Sequence, residues 1–202
     1  MKVLDKCFYW IYFLMKLSMI YLLLLLIGAV LFGFHPANTS MMFLMAKHQK
    51  DLDAYTFKEA FSIYRKDFCS SNMLGYLLAS LAACIAYTIF HLPPISSLAL
   101  LFVIQVINSF FLSYLFCTYA VYLKLQVYYD FSLVNALKLS AMAVFFDLVA
   151  ILKCLLGSFI VIFLLSKVTL LMAVFLPIIW LIFIADVLEP IYQMVKAGNH
   201  VR

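Results

Sequence analysis

The feature that most constrains this chain is a recurrence of apolar runs, at residues 17–34, 72–90, 97–123 and 148–188, with only short polar stretches between them. About twenty apolar residues in helical conformation cover the roughly 30 Å of a bilayer's hydrocarbon layer. The last run is about 41 residues long and breaks at Ser166 and Lys167, so it predicts a hairpin of two crossings. Hydrophobic residues make up 68% of the chain and charged ones 11%, which excludes an ordinary water-soluble fold. The longest hydrophilic stretch, residues 47–71, is too short for a soluble catalytic module. The 202 residues therefore predict an all-α, polytopic transmembrane helical bundle forming a single integral membrane domain over 1–202.

The number of crossings turns on residues 37–46, apolar around Met41, Met42, Phe43, Leu44 and Met45. Ten residues rise only about 15 Å. If this segment returns across the bilayer there are about six spans. Thirteen of the fourteen Lys and Arg then lie on one side, with Lys167 alone on the other. The better five-span arrangement divides them ten to four. Basic loops resist translocation, so six spans with both termini cytoplasmic are expected, the second span being short and starting at Pro36; a re-entrant hairpin is the fallback. Gly33, His35 and Pro36 are the expected first outer turn, His91 to Pro94 the second, and Ser166 with Lys167 the third. Lys2 and Lys6 before an apolar stretch mimic a signal peptide, but without a small-residue cleavage site the stretch reads as a retained span. Tyr119, Tyr122, Tyr128 and Tyr129, with Tyr9, Trp10 and Tyr12, suit an interfacial aromatic belt.

Thr56 followed by Glu59 has capping-box spacing. Beyond it Phe57, Ala60, Phe61, Tyr64 and Phe68 recur at helical spacing, with Lys58, Arg65 and Lys66 on the other face. This predicts a short cytoplasmic amphipathic helix over 56–68, either lying on anionic headgroups or docking a partner through Phe57, Lys58, Phe61, Tyr64, Arg65, Lys66 and Phe68. A weaker candidate of the same kind spans 132–146.

Within the apolar runs, Gly75, Ala79 and Ala83, flanked by Ser80 and Cys84, have the spacing that lets helix backbones approach, as internal packing or as a seam between subunits. Gln105, Asn108, Ser109 and Ser113 share one face of the fourth span and read as hydrogen-bonding glue or as a solute path. No carboxylate at that depth favours proton or sodium coupling. Asp147 with Lys153, and Asp186 with Glu189, are expected in interfacial ion pairing, and Pro177 predicts a kink in the sixth span. Five scattered cysteines without CxxC spacing read as buried small residues, with no disulfide framework and no zinc site. The histidines, at 35, 48, 91 and 200, are far apart; His35 and His91 on the outer side would at most form a metal or pH-sensing pair. HExxH, GxSxG and phosphate-binding glycine loops are all missing, so neither an enzyme nor a bound cofactor is expected, and nothing points to nucleic acid.

The run Gly28-Ala-Val-Leu-Phe32-Gly33-Phe34-His35-Pro36-Ala37-Asn38-Thr39 resembles the N-terminal glycine, Phe-Gly and Pro-Ala pattern of the YesL-like family of bacterial membrane proteins. The likeness continues through Phe57-Lys58-Glu59-Ala60-Phe61, Tyr64 to Phe68 and Asn72-Met73-Leu74-Gly75, then more loosely through Asn135-Ala136-Leu137 and Leu176-Pro177. Where the family pattern often has a proline after an aromatic in the fourth span, this chain has Phe116-Cys117. The family is catalogued as a domain of unknown function and is associated with carbohydrate-uptake loci. The resemblance therefore implies an accessory role in bacterial sugar import, such as one beside an ABC transporter, with other membrane proteins as partners and no catalytic residues. A small transporter or channel acting alone is the alternative.

Overall fold

The computed structural model describes residues 2–49, 51–91, 98–129, 132–167 and 174–199. These form eight α-helices with no strand among the described residues: α1 (Lys2–Ile27), α2 (Leu31–His48), α3 (Phe57–Phe90), α4 (Leu98–Leu125), α5 (Leu133–Ala143), α6 (Leu148–Lys167), α7 (Leu176–Val187) and α8 (Glu189–Asn199). By length and composition, four can cross a membrane: α1 from Cys7 onward, α3, α4 and α6. The α7–α8 pair, bent by 42°, makes a fifth where the two helices count as one broken span. The expected turn at 92–94, with Lys50, His200 and Arg202, lies outside the described residues.

Successive long helices reverse direction. Tyr21 meets Asn38 while Lys16 reaches the Leu52 carbonyl, so α2 runs back along α1. Lys47 meets Glu59 and Thr39 meets Ser71, so α3 reverses again. Asn108 meets Thr88, and Tyr122 packs on Leu74 and Leu78, which makes α4 antiparallel to α3. α7 runs parallel to α4, with Trp180 on Phe116 and Ala185 at Lys124, and α6 opposes α7 through Ser158 and Trp180. Lys16, Lys47, Glu59, Lys124 and Glu189 thus gather at one end, the charged end.

The first turn differs from expectation. It lies at 28–30, ahead of Gly33 and Pro36, and α2 begins at Leu31. Leu31 N–H bonds to the Ala29 carbonyl across Val30, whose φ of 65° and ψ of −59° make a γ-turn, a rare and strained conformation for a β-branched residue. Gly33 serves close packing: a Cβ there would strike the backbone of Leu24 and Leu25 on α1. Pro36 sits inside α2. Its missing N–H would leave the Phe32 carbonyl without a partner, and Asn72 Nδ2 on α3 fills that place at 3.0 Å. α2 therefore has 18 residues, rising about 27 Å, well beyond the ten expected.

Two further expectations fail on the same principle. The amphipathic stretch and the third apolar run are one unbroken helix, α3, of 34 residues and about 51 Å. Cys69, Ser70 and Ser71 are polar or small but do not break a helix. Pro177 lies in the first turn of α7, where a missing N–H costs nothing, and the bend comes instead at Leu188. Cys7, Cys69 and Cys84 are exposed; Cys117 and Cys154 are buried and all five thiols are free.

Candidate functional site

The helix with the most buried polar side chains, α2, lies at the centre. In α2, Asn38, Thr39 and Ser40 are all buried, as are Pro36, Ala37, Met41, Met42 and Leu44. In hydrocarbon each such polar atom needs a partner, and other helices supply them. Tyr21 Oη on α1 donates to Asn38 Oδ1 at 2.9 Å, and Asn38 Nδ2 donates to Tyr119 Oη on α4 at 3.0 Å. Tyr119 Oη lies 3.0 Å from His35 Nδ1. Having accepted from Asn38, that oxygen either gives its own proton to Nδ1 or accepts a second bond from it, according to the imidazole tautomer. One residue along, Thr39 Oγ1 accepts from Ser71 Oγ on α3 and from Gln126 Nε2 after α4, both at 3.1 Å. Ser40 Oγ bonds back to the Pro36 carbonyl. Two short polar chains therefore run from α2 into three neighbouring helices.

His35 is not in a solvated outer turn, as its sequence position suggested. Its ring is half-buried, packed edge-on against Tyr76 and Tyr119 and against Gly75, where a Cβ would overlap it. His91 ends α3 with its ring on Tyr87. The described residues hold no group of three His, Cys, Asp or Glu that could bind a metal. Tyr119 and Tyr122 likewise belong to the interior, while Tyr9, Trp10 and Tyr12 are exposed.

The expected docking residues separate. Phe57, Lys58, Phe61, Arg65 and Lys66 are exposed, with the Phe57 and Phe61 rings stacked at 6.0 Å. Tyr64 is buried, and its hydroxyl occupies the place a Gly28 Cβ would take, beside the Gly33 backbone. Phe68 packs partly into the core. Tyr64 thus locks α3 to the α1–α2 turn, although its hydroxyl, Asn72 Oδ1 and Ser18 Oγ have no hydrogen-bond partner among the described residues. Of the other turn residues, Ala37 is buried and Phe32 is exposed, edge-on to Tyr76 at 5.8 Å. Thr56 Oγ1 accepts from Glu59 N–H, the expected cap. The Glu59 carboxylate turns away to Lys47 at 2.6 Å and His48 at 2.8 Å. Hydrogen bonds from Lys47 first and His48 second hold its carboxyl below the usual range.

On the fourth pass, Asn108 Nδ2 donates to Thr88 Oγ1 at 3.2 Å, and Ser113 Oγ to its own Ser109 carbonyl. Ser109 is exposed and Gln105 has no hydrogen bond among the described residues. Ala79, Ser80, Ala83 and Cys84 are exposed as well, and only Gly75 of that stripe packs internally. Asp147 is a helix cap, accepting from Val149 and Ala150 N–H at 3.0 Å, and it does not pair with Lys153. Glu189 pairs with Lys124 at 2.7 Å, not with its neighbour in sequence. Lys124 is 5% exposed; its ammonium also donates to the Ala185 carbonyl and lies under 6 Å from the Tyr128 and Tyr192 ring centres. Nothing in its local sequence separates it from a surface lysine.

The residues joined by these contacts, from α1 to α3, are where a likeness to known proteins falls. Residues 14–89 match the family described as a protein of unknown function, DUF624. The matched segment contains Gly28, Gly33, Pro36, Tyr64 and Asn72, which meet in space as described. No curated protein and no solved structure matches the chain.

Proposed function

We propose that this chain is a non-enzymatic, six-span protein of the bacterial cytoplasmic membrane, with both termini inside, that binds another membrane protein. The observation that carries this reading is the continuity of α3. At about 51 Å the helix is longer than a 30 Å hydrocarbon layer, so its first turns stand clear of the apolar span. Those turns expose the stacked Phe57 and Phe61 with Lys58, Arg65 and Lys66, while Tyr64 and the Glu59 pairings fix them to the bundle. Rigid aromatic and basic side chains on an immobilised helix form a docking surface with little ordering entropy left to lose. The resemblance to the YesL-like family points to a carbohydrate ABC importer as partner.

Co-purification from native membranes tests this. A transporter subunit is expected with the wild type and is expected to be lost on combining Phe61→Ala with Arg65→Glu. If none co-purifies and deletion leaves sugar uptake unchanged, the reading fails. Single cysteines at Lys58 and Lys167 in a cysteine-free background test sidedness: an impermeant reagent on intact cells should label only position 167.

A second reading, a solute path within this chain, is favoured by the polar chains on α2 and the cleft of about 330 Å³ beside Gln126 and Ser71. Solute flux through liposomes holding the purified protein alone would select it.

A further inference from the structure

At the charged end a second cleft, of about 530 Å³, opens between α1, α2, the 126–129 segment and the α7–α8 bend. Its walls are apolar, formed by Trp10, Phe13, Met42, Met45 and Ile182. Its polar side carries Lys124, Tyr128, Asp186 and Glu189. The charges do not cancel. Lys124, itself buried, is neutralised by the half-exposed carboxylate of Glu189, whereas Asp186 is exposed and forms no ion pair among the described residues. Among the lining residues one negative charge, that of Asp186, is therefore left unpaired on the rim of a mostly apolar hollow, with Lys196 beyond the lining acting on Glu189. Trp10 and Tyr128 line the same cleft and are 44% and 40% exposed, Tyr128 with one ring face stacked on Tyr192. Aromatic faces attract cations and repel anions, and their attraction grows where water is excluded.

From these features we propose that this cleft binds an amphiphilic ammonium, an organic cation whose apolar tail lies along the Met42, Met45 and Ile182 wall and whose head meets Asp186. An anion would face Asp186 and Glu189 with the one cation already paired. A neutral apolar ligand would cover the Asp186 carboxylate without compensating it. The volume admits ligands up to drug size. Two sources share this chemistry: a free lipophilic amine, and the headgroup of an amine-bearing phospholipid.

The test uses the full chain in dodecyl maltoside, a non-ionic detergent. The chain has two tryptophans, so Trp180→Phe leaves Trp10 as the fluorescent reporter in the cleft wall. Titration with hexylamine should give a saturable change in Trp10 emission, and hexanol and hexanoate, with matched tails, should not. Asp186→Asn should weaken hexylamine binding by roughly two- to fivefold, the worth of one partly exposed ion pair. Asp53→Asn, an exposed carboxylate elsewhere, should leave it unchanged. Asp186 is exposed, so its substitution leaves the fold intact, which the thermal midpoint checks. Mixed micelles then assign the source: competition by phosphatidylethanolamine but not phosphatidylglycerol indicates the lipid headgroup, and its absence indicates a free amine. Equal binding of hexanol or hexanoate, an unsaturable response, or an unaltered Asp186→Asn variant would overturn the proposal.

Discussion

The contrast between α2 and the first half of α4 shows how this bundle is organised. α2 carries Asn38, Thr39, Ser40 and a proline, yet nine of its residues are buried. α4 is far more apolar, yet its buried residues all lie between Cys117 and Leu125, and residues 98–111 pack only loosely beside α3. A water-soluble protein would reverse these places. In a bilayer, lipid solvates a run of Leu, Ile, Val and Phe as well as another helix does, so apolarity alone gives no reason to pack. Polar side chains and missing backbone donors do give one, because lipid cannot satisfy them. The helix with the most unmet hydrogen-bonding need becomes the core.

Substitutions that attack the two regions should therefore differ in size. Gly33→Leu should be the most damaging, at about 3 kcal/mol, because its side chain must displace the α1 backbone at Leu24 and Leu25. Reversible unfolding in mixed dodecyl sulfate micelles would measure it, and a loss under 1 kcal/mol would show that α1 and α2 are not in close contact. Asn38→Leu should cost about 1–2 kcal/mol in the same assay, since it removes the bonds to both Tyr21 and Tyr119. A smaller effect is expected at the charged end. Glu59 has a folded pKa below its ordinary 4.5, so its stabilisation is complete above that value and is lost as pH falls through the lowered one. Glu59→Gln should remove that acid limb, worth a few tenths of a kcal/mol for so exposed a partner as Lys47. A pH–stability curve identical to wild type would contradict the pairing. Asn108→Leu, on the loosely packed half of α4, should change stability by less than about 0.6 kcal/mol. A loss as large as that at Asn38 would abolish the distinction between the two regions.

The fold class, the long apolar helices α4 and α6, and the Thr56 cap were legible in the sequence because each rests on local composition or spacing, whereas the run read as 17–34 straddles the end of α1 and the start of α2. The position of the first turn was not. Glycine and proline usually punctuate helices, but here Gly33 admits the α1 backbone and Pro36 is tolerated because Asn72 serves the carbonyl it strands. That compensation comes from 40 residues away. The Asn38–Tyr119 bond joins positions 81 apart, and Lys124 finds Glu189 across 65. No periodicity in a single chain encodes such pairings. The exposed half of the docking residues could be read from amphipathic spacing; the burial of Tyr64 could not, since it depends on the absence of a side chain at Gly28.

The unbroken course of α3 has a mechanical consequence. A rod about 51 Å long, gripped by α1 and α2 from Glu59 to Gly75, cannot tilt at its docking end without carrying those helices with it. A rotation of roughly 5° about the Gly75 contact would displace the far tip, around Tyr87, by about 2 Å, as much as the shifts by which packed helices commonly switch state.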